Sequence, residues 1–153
     1  MPSLQPTENV DVLLTRSALN PAQIEAQVSR PSAGAVVSFI GVTRNEHLGK
    51  RVLYLEYEAQ EAMALKMLNE LCRDAEKKFS LAAANVHHRL GRLEIGEASV
   101  CIATSSAHRG AAFDGCRYII DTLKTTVPIF KKEYYADGSA PCWVGPDGKA
   151  VQI

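Results

Sequence analysis

The 153-residue chain has no apolar run approaching the roughly 20 residues that span a bilayer. Its opening, MPSLQPTENVDV, carries neither the basic block nor the apolar block of an export signal. The expectation is a cytoplasmic protein that crosses no membrane. Cysteine is sparse. Cys72, Cys101, Cys116 and Cys142 form no C-x-x-C pair, which argues against zinc or disulfide frameworks and for four reduced thiols. A surplus of either charge is also lacking: 17 Lys and Arg cancel 17 Asp and Glu, so no overall field draws nucleic acid or anionic lipid. Any anion must be held by a local cluster. G-x-S-x-G, the P-loop and G-x-G-x-x-G are absent, and with them the usual markers of triad hydrolases and nucleotide loops. Internal repeats, low-complexity tracts and Gly/Ser linkers are missing too, which excludes solenoids and gives no support to a split chain.

What is present is an ordinary globular balance, 46% hydrophobic and 22% charged, in a length that suits one domain. Residues 1–8, polar and carrying Pro2 and Pro6, read as a flexible arm, and 9–153 as a single domain. A strand is expected near Val10 to Thr15, then a short helix capped by Asn20 with Pro21 at its first position. Gly34 to Val42, β-rich and almost continuously apolar, reads as a central strand followed by a polar loop from Thr43 to Lys50. Val52 to Glu58 alternates as a strand does. Leu65, Leu68, Cys72, Ala75 and Phe79 recur at helical spacing between Glu61 and Phe79. Asn85 to Leu93 and Ala98 to Ser105 are the next strands. A helix from Arg109 to Thr126 buries Ala112, Cys116, Ile119 and Leu123, and Pro128 ends it. Ile129 to Tyr135 and Cys142 to Val144 close the pattern as strands around a turn. Interleaving without strict βαβ regularity favours an α+β fold with a mixed sheet.

Chemistry concentrates in two stretches. Thr104-Ser-Ser-Ala-His108-Arg109 lies where an apolar strand gives way to a helix, and a helix N-terminus with unpaired N–H groups suits phosphate. A capped helix start with a solvated His-Arg pair has the same spacing. Lys124-Thr-Thr-Val-Pro-Ile-Phe-Lys131-Lys132-Glu133 follows, with Pro128 preventing one continuous helix. Lys124 on the last helical turn and Lys131 on the next strand can still converge on one pocket wall. A desolvated lysine there works near neutral pH, whereas a solvated one only complements the helix dipole. Residues 104–133 hold five Lys and Arg against three Asp and Glu, a local cationic surplus. Arg44, in the loop after the apolar strand, is placed to reach a ligand. His87 and His88 are strand neighbours pointing to opposite faces, so they do not form a metal site.

Three blocks, Gly34-Ala-Val-Val-Ser-Phe-Ile-Gly-Val-Thr-Arg44, Thr104-Ser-Ser-Ala-His-Arg109 and Leu123-Lys-Thr-Thr-Val-Pro-Ile-Phe-Lys-Lys-Glu133, together resemble the large, catalytic subunit family of molybdopterin synthase, the MoaE type. The resemblance runs in order from about Val12 to Trp143. It implies an α/β hammerhead-type fold with a mixed, mostly antiparallel sheet and two to three helices. It also implies a homodimer at the centre of a heterotetramer with two small ubiquitin-like sulfur carriers. The carrier's C-terminal Gly-Gly thiocarboxylate would enter a pocket and deliver two sulfurs to cyclic pyranopterin monophosphate, with no cofactor and no metal. Position by position, the family's pocket lysines fall on Lys124 and Lys131, its His-Arg pair on His108 and Arg109, and its loop arginine on Arg44. Lys124 is then expected as acid/base or thiocarboxylate holder, and Lys131 as a clamp on tail and intermediate. His108, Arg109 and Arg44 are expected as phosphate and pterin ligands, with Lys132 a further candidate. The family's basic residue from the dimer mate, just beyond the tryptophan, has no direct counterpart after Trp143, and Lys149 is the nearest substitute. The competing expectation is a non-catalytic module of the same fold that binds an anion or a carrier tail.

Overall fold

The computed structural model describes residues 9–145 and 148–150, so the expected N-terminal arm and Asp147 lie outside the described residues. In chain order the elements are β1 (Val10–Thr15), α1 (Pro21–Val28), β2 (Ala35–Val42), β3 (Glu46–His47), β4 (Lys50–Ala59), α2 (Glu61–Phe79), β5 (Ala83–Arg89), β6 (Gly91–Glu94), β7 (Ala98–Ser106), α3 (Arg109–Thr126), β8 (Ile129–Tyr135) and β9 (Cys142–Val144). Two sheets result. The first has the order β1-β5-β7-β2, with β1 and β5 parallel and the other pairs antiparallel. The second runs β3-β4-β8-β9, all antiparallel, with β6 also paired to β4. This is the α+β architecture with a mixed, mostly antiparallel pattern that the sequence predicts.

The main core forms where α2 and α3 lie on one face of the first sheet. Leu65, Leu68, Cys72 and Ala75 of α2 and Cys116, Ile119 and Leu123 of α3 meet Val12, Val86 and Ile102 from the strands. A smaller core under α1 joins Ile24 and Val28 to Ala83, Cys101 and Ala103 on the other face. Gly115 allows the close approach of α3 to the α2–β5 connection, since a Cβ there would sit 2.8 Å from both methyls of Leu81. The Asn20 side chain accepts from the Gln23 N–H at 3.2 Å, capping α1 as its sequence suggests. At the other end of α2, Ser80 takes a left-handed conformation (φ 55°) that turns the chain back toward β5.

Three sequence expectations need correction. The Gly34–Val42 stretch is not a central strand: β2 lies at the edge of its sheet, paired only to β7, and Val36, Phe39, Ile40 and Val42 remain exposed. A continuous apolar run reads the same whether the second edge is filled by the same chain or by another, so the pattern alone misassigns it. Asn85 to Leu93 is two strands, because Gly91 adopts φ +84° and redirects the chain from the first sheet into the second. The Thr43–Lys50 loop contains the two-residue β3, which returns through Leu48 and Gly49, both at positive φ, to pair with β4.

Candidate active site

The sheets and the C-terminal turn of α3 enclose a cavity of about 320 Å³ with an adjoining lobe of about 170 Å³. Arg44, His47, Tyr57, Ser99, Lys124 and Lys131 line both. Each arrives for a local reason. Strand alternation puts Ile129, Lys131 and Glu133 of β8 on one face, opposite Tyr57 and Leu55 of β4 in register. Lys124 stands on the last turn of α3, which stops where Val127 goes extended ahead of Pro128. The Arg44 loop is tied down on both sides, by Thr43 N–H donating to the Glu97 carbonyl at 3.0 Å and Val52 N–H donating to the Asn45 carbonyl at 2.8 Å.

Beneath the cations lies one buried carboxylate. Glu133, 2% exposed, has Oε1 at 2.7 Å from His47 Nδ1, accepts from the Tyr135 hydroxyl at 3.0 Å, and holds Oε2 at 3.9 Å from Lys131 Nζ. Burial draws Lys131 below the ordinary lysine range. Glu133 opposes that, while the positive charges of Lys124 and Arg44 push the same way as burial. Three cations thus border one cavity around a single buried counter-charge, with Lys131 partly desolvated, which favours an anion entering from outside. The Tyr57 phenol is raised by burial, a shift partly offset by its hydrogen bond with Ser99.

His88 forms part of the same wall. Its ring packs edge-on to Tyr57 at 5.0 Å, and Nδ1 lies 2.8 Å from the Arg89 carbonyl. Burial first, and the charge of Lys124 in addition, push the imidazole down to about 4 from its ordinary 6.5, despite the backbone hydrogen bond that favours the proton. Between those values the unfolded chain takes up a proton that the fold refuses, so stability falls as pH falls. The slope is about 1.4 kcal/mol per pH unit, or about 3 kcal/mol in all by pH 4. We expect thermal unfolding between pH 7 and pH 4 to be less acid-sensitive in His88→Gln than in the wild type. Equal slopes would show that the imidazole is not buried neutral.

The expected residues divide. Arg44, Lys124 and Lys131 come together. Lys132, one step along β8, points to the opposite face of its sheet, with Nζ 5.4 Å from the Tyr134 ring centre and 5.6 Å from that of Trp143, so it does not reach the cavity. His108 and Arg109 stand at the start of α3, with His108 in the N-cap position and no side-chain cap. A rise of about 1.5 Å per residue puts them roughly 22 Å from Lys124 along that helix. They line neither lobe. Lys149 follows Gly148, which borders the cavity, and its carbonyl accepts from Gly145 N–H at 2.8 Å. His47, Tyr57, His88, Ser99 and Glu133 were missed by sequence reasoning. For Glu133 a signal existed, because it is two residues from Lys131 on one strand and so must share its face. His87 and His88 do diverge: His87 Nε2 lies 2.8 Å from Asp11 Oδ2, on the side of the sheet away from the cavity.

The MoaE protein family model matches residues 14–126. The molybdopterin synthase catalytic subunit of Culex quinquefasciatus is 47% identical over 126 residues, covering 82% of this chain and 80% of that protein. Among solved structures, molybdopterin synthase from Staphylococcus aureus superposes with a TM-score of 0.81 at 34% identity, over 86% of this chain and 95% of that one. A chain from the complex of subunits 1 and 2 of the molybdopterin-converting factor of Helicobacter pylori shares the fold, with a TM-score of 0.68 at 20% identity over 84% and 92% of the two chains. With a cationic cavity to which the Gly34–Arg44 and Leu123–Glu133 blocks contribute, and similarity over most of its length, this chain belongs to the MoaE family of molybdopterin synthase catalytic subunits.

Proposed function

We propose that the chain is the catalytic subunit of a molybdopterin synthase. It converts cyclic pyranopterin monophosphate to molybdopterin with sulfur taken from the C-terminal Gly-Gly thiocarboxylate of a small ubiquitin-like carrier subunit. The observation that carries this reading is the convergence of Arg44, Lys124 and Lys131 on one cavity in a chain of zero net charge. Both reactants are anions, one through its cyclic phosphate and one through its thiocarboxylate, and a shared cationic cavity draws them together. Lys131, half-buried beside Glu133, clamps the tail and the charge that develops as sulfur leaves it. Lys124, exposed at the rim, handles the proton or the thiocarboxylate, and Arg44 takes phosphate. The two-subunit Helicobacter pylori complex, of like fold, supports a small-subunit partner. The test is reconstitution: the purified chain, a thiocarboxylated carrier and the pyranopterin precursor should yield the dithiolene product. No product with a verified carrier would leave an anion-binding module instead.

The same reading includes a homodimer, and the edge of β2 supports it. Val36, Phe39, Ile40 and Val42 form an exposed apolar strip on a strand that, among the described residues, pairs along one edge only, the kind of edge that proteins ordinarily cover. At one end of the strip Ala35 pairs with Ser106, beside the His108-Arg109 junction. At the other end, about 20 Å along, the chain enters the Arg44 loop. Two copies joined antiparallel about a two-fold axis near Phe39 bring His108 and Arg109 of each to the Arg44 end of the other. That supplies from a second copy the phosphate ligands that one copy keeps at the far end of α3. Ile40→Lys, which sets like charges across the axis, should halve the mass seen by light scattering and reduce product formation with the cavity's own lysines intact. An unchanged mass would remove this assembly.

A further inference from the structure

We infer that His88 is the hydrogen-bond acceptor for an N–H group on the heterocyclic part of the substrate. This deepens the proposed function and rests on it. The carbonyl of Arg89 has only lone pairs to offer, so Nδ1, 2.8 Å away, must carry the proton, and Nε2 is a bare acceptor. No described residue donates to Nε2. Nor is that atom sealed in: among the described residues the buried side-chain atoms without a partner are Glu76 Oε2 and Arg89 Nε. The ring belongs to the cavity wall and packs edge-on against Tyr57.

Several polar groups around the cavity only donate or are already engaged, which makes an acceptor such as Nε2 valuable, while His47 and Glu46 stand toward the second lobe. Arg44, Lys124 and Lys131 only donate. Glu133 Oε1 is engaged by His47 and Tyr135, and its Oε2 faces the Lys131 ammonium at 3.9 Å. Ser99 donates to the Gly41 carbonyl at 3.3 Å and bonds to Tyr57. An anion needs nothing more than the cations. A reduced pterin also presents ring N–H and amino groups that must find acceptors once they leave water, or lose their hydrogen bonds. His88 Nε2 answers that need, and its fixed tautomer keeps it from competing as a donor.

The test uses two substitutions that separate the nitrogens. Asparagine places an amide N–H near Nδ1 and keeps the bond to Arg89 but has nothing at Nε2. Glutamine offers an oxygen close to Nε2. In the reconstituted reaction His88→Asn should raise KM for the pyranopterin precursor by about tenfold or more, with kcat within about threefold, and His88→Gln should restore most of the loss. A folded His88→Asn with unchanged KM overturns the inference. So does a loss confined to kcat, which would make Lys124 the partner of Nε2. Should His88→Asn fail to fold, the wild type decides: in chain labelled with ¹⁵N-histidine, the bare Nε2 resonance should move toward the N–H range on adding the precursor. A resonance unmoved at saturation overturns the inference. If the wild type makes no product, the proposed reaction fails, and the same titration still decides whether His88 receives a pterin.

Discussion

Lys131→Ala will lower product formation from thiocarboxylated carrier and precursor by about 10²–10³-fold, the usual loss when one preorganised charge-stabilising donor is removed, while thermal unfolding stays near the wild type. The stability expectation follows from position. Lys131 is on the cavity face of β8, its side chain still 22% accessible, and it is no part of either apolar core. The activity expectation follows from electrostatics. Its charge stands in a partly dry pocket where Coulomb interactions exceed those in water, and Lys124 and Arg44 cannot replace it because their charges come from different elements. Lys131→Arg should recover little, since a planar guanidinium beside Glu133 occupies the volume an incoming tail requires. The sign of the pH effect is also set. A lysine held below its ordinary range loses its proton earlier on the alkaline side, so wild-type activity should decline at lower pH than a solvent-exposed lysine would allow. Lys131→Ala should lack that decline in its residual rate. Retention of more than half the wild-type rate in Lys131→Ala would remove Lys131 from the mechanism.

How much of this is legible in sequence depends on whether the deciding contact is local. Helices α2 and α3 and strands β8 and β9 fall where periodicity and Pro128 put them, because the 3.6-residue stripe and the proline act within a few residues. The strand after Asn85 is broken by a glycine whose positive φ has no trace in composition. Whether β2 is central or at the edge depends on what lies beside it in space, which no run of apolar residues encodes. The site shows the same division. Lys124 and Lys131 are within seven residues, and their convergence follows from a helix, a stop and a strand. Arg44 joins them from about 80 positions away only because the first sheet delivers its loop there. For Lys132, a further candidate from the sequence, alternation on β8 points the other way: its neighbours on both sides border the cavity, and its own side chain lies against Tyr134 and Trp143 on the opposite face. Glu133 and His88 carry chemistry through burial, a property of the closed fold.

Glu133→Ala should destabilise the protein by about 3–5 kcal/mol, the loss expected when one member of a buried charge cluster is deleted and its partners are stranded. In a chain of this length that corresponds to a fall in Tm of roughly 10 °C. The Tyr135 hydroxyl, the His47 imidazole and the Lys131 ammonium all turn toward this carboxylate, and all three would remain half-buried around a void. Glu133→Gln distinguishes charge from shape. The amide still accepts from Tyr135 through its oxygen, so most of the stability should return. The counter-charge does not return, however, and it is the one influence holding Lys131 upward against burial, Lys124 and Arg44. Lys131 must then fall further below the ordinary lysine range, and the alkaline decline in activity should move to lower pH in Glu133→Gln than in the wild type. A pH–rate profile identical to the wild type, from a variant whose unfolding curve shows it intact, would mean that the carboxylate serves only the packing of β3 on β8 and does not set the charge of the lysine above it.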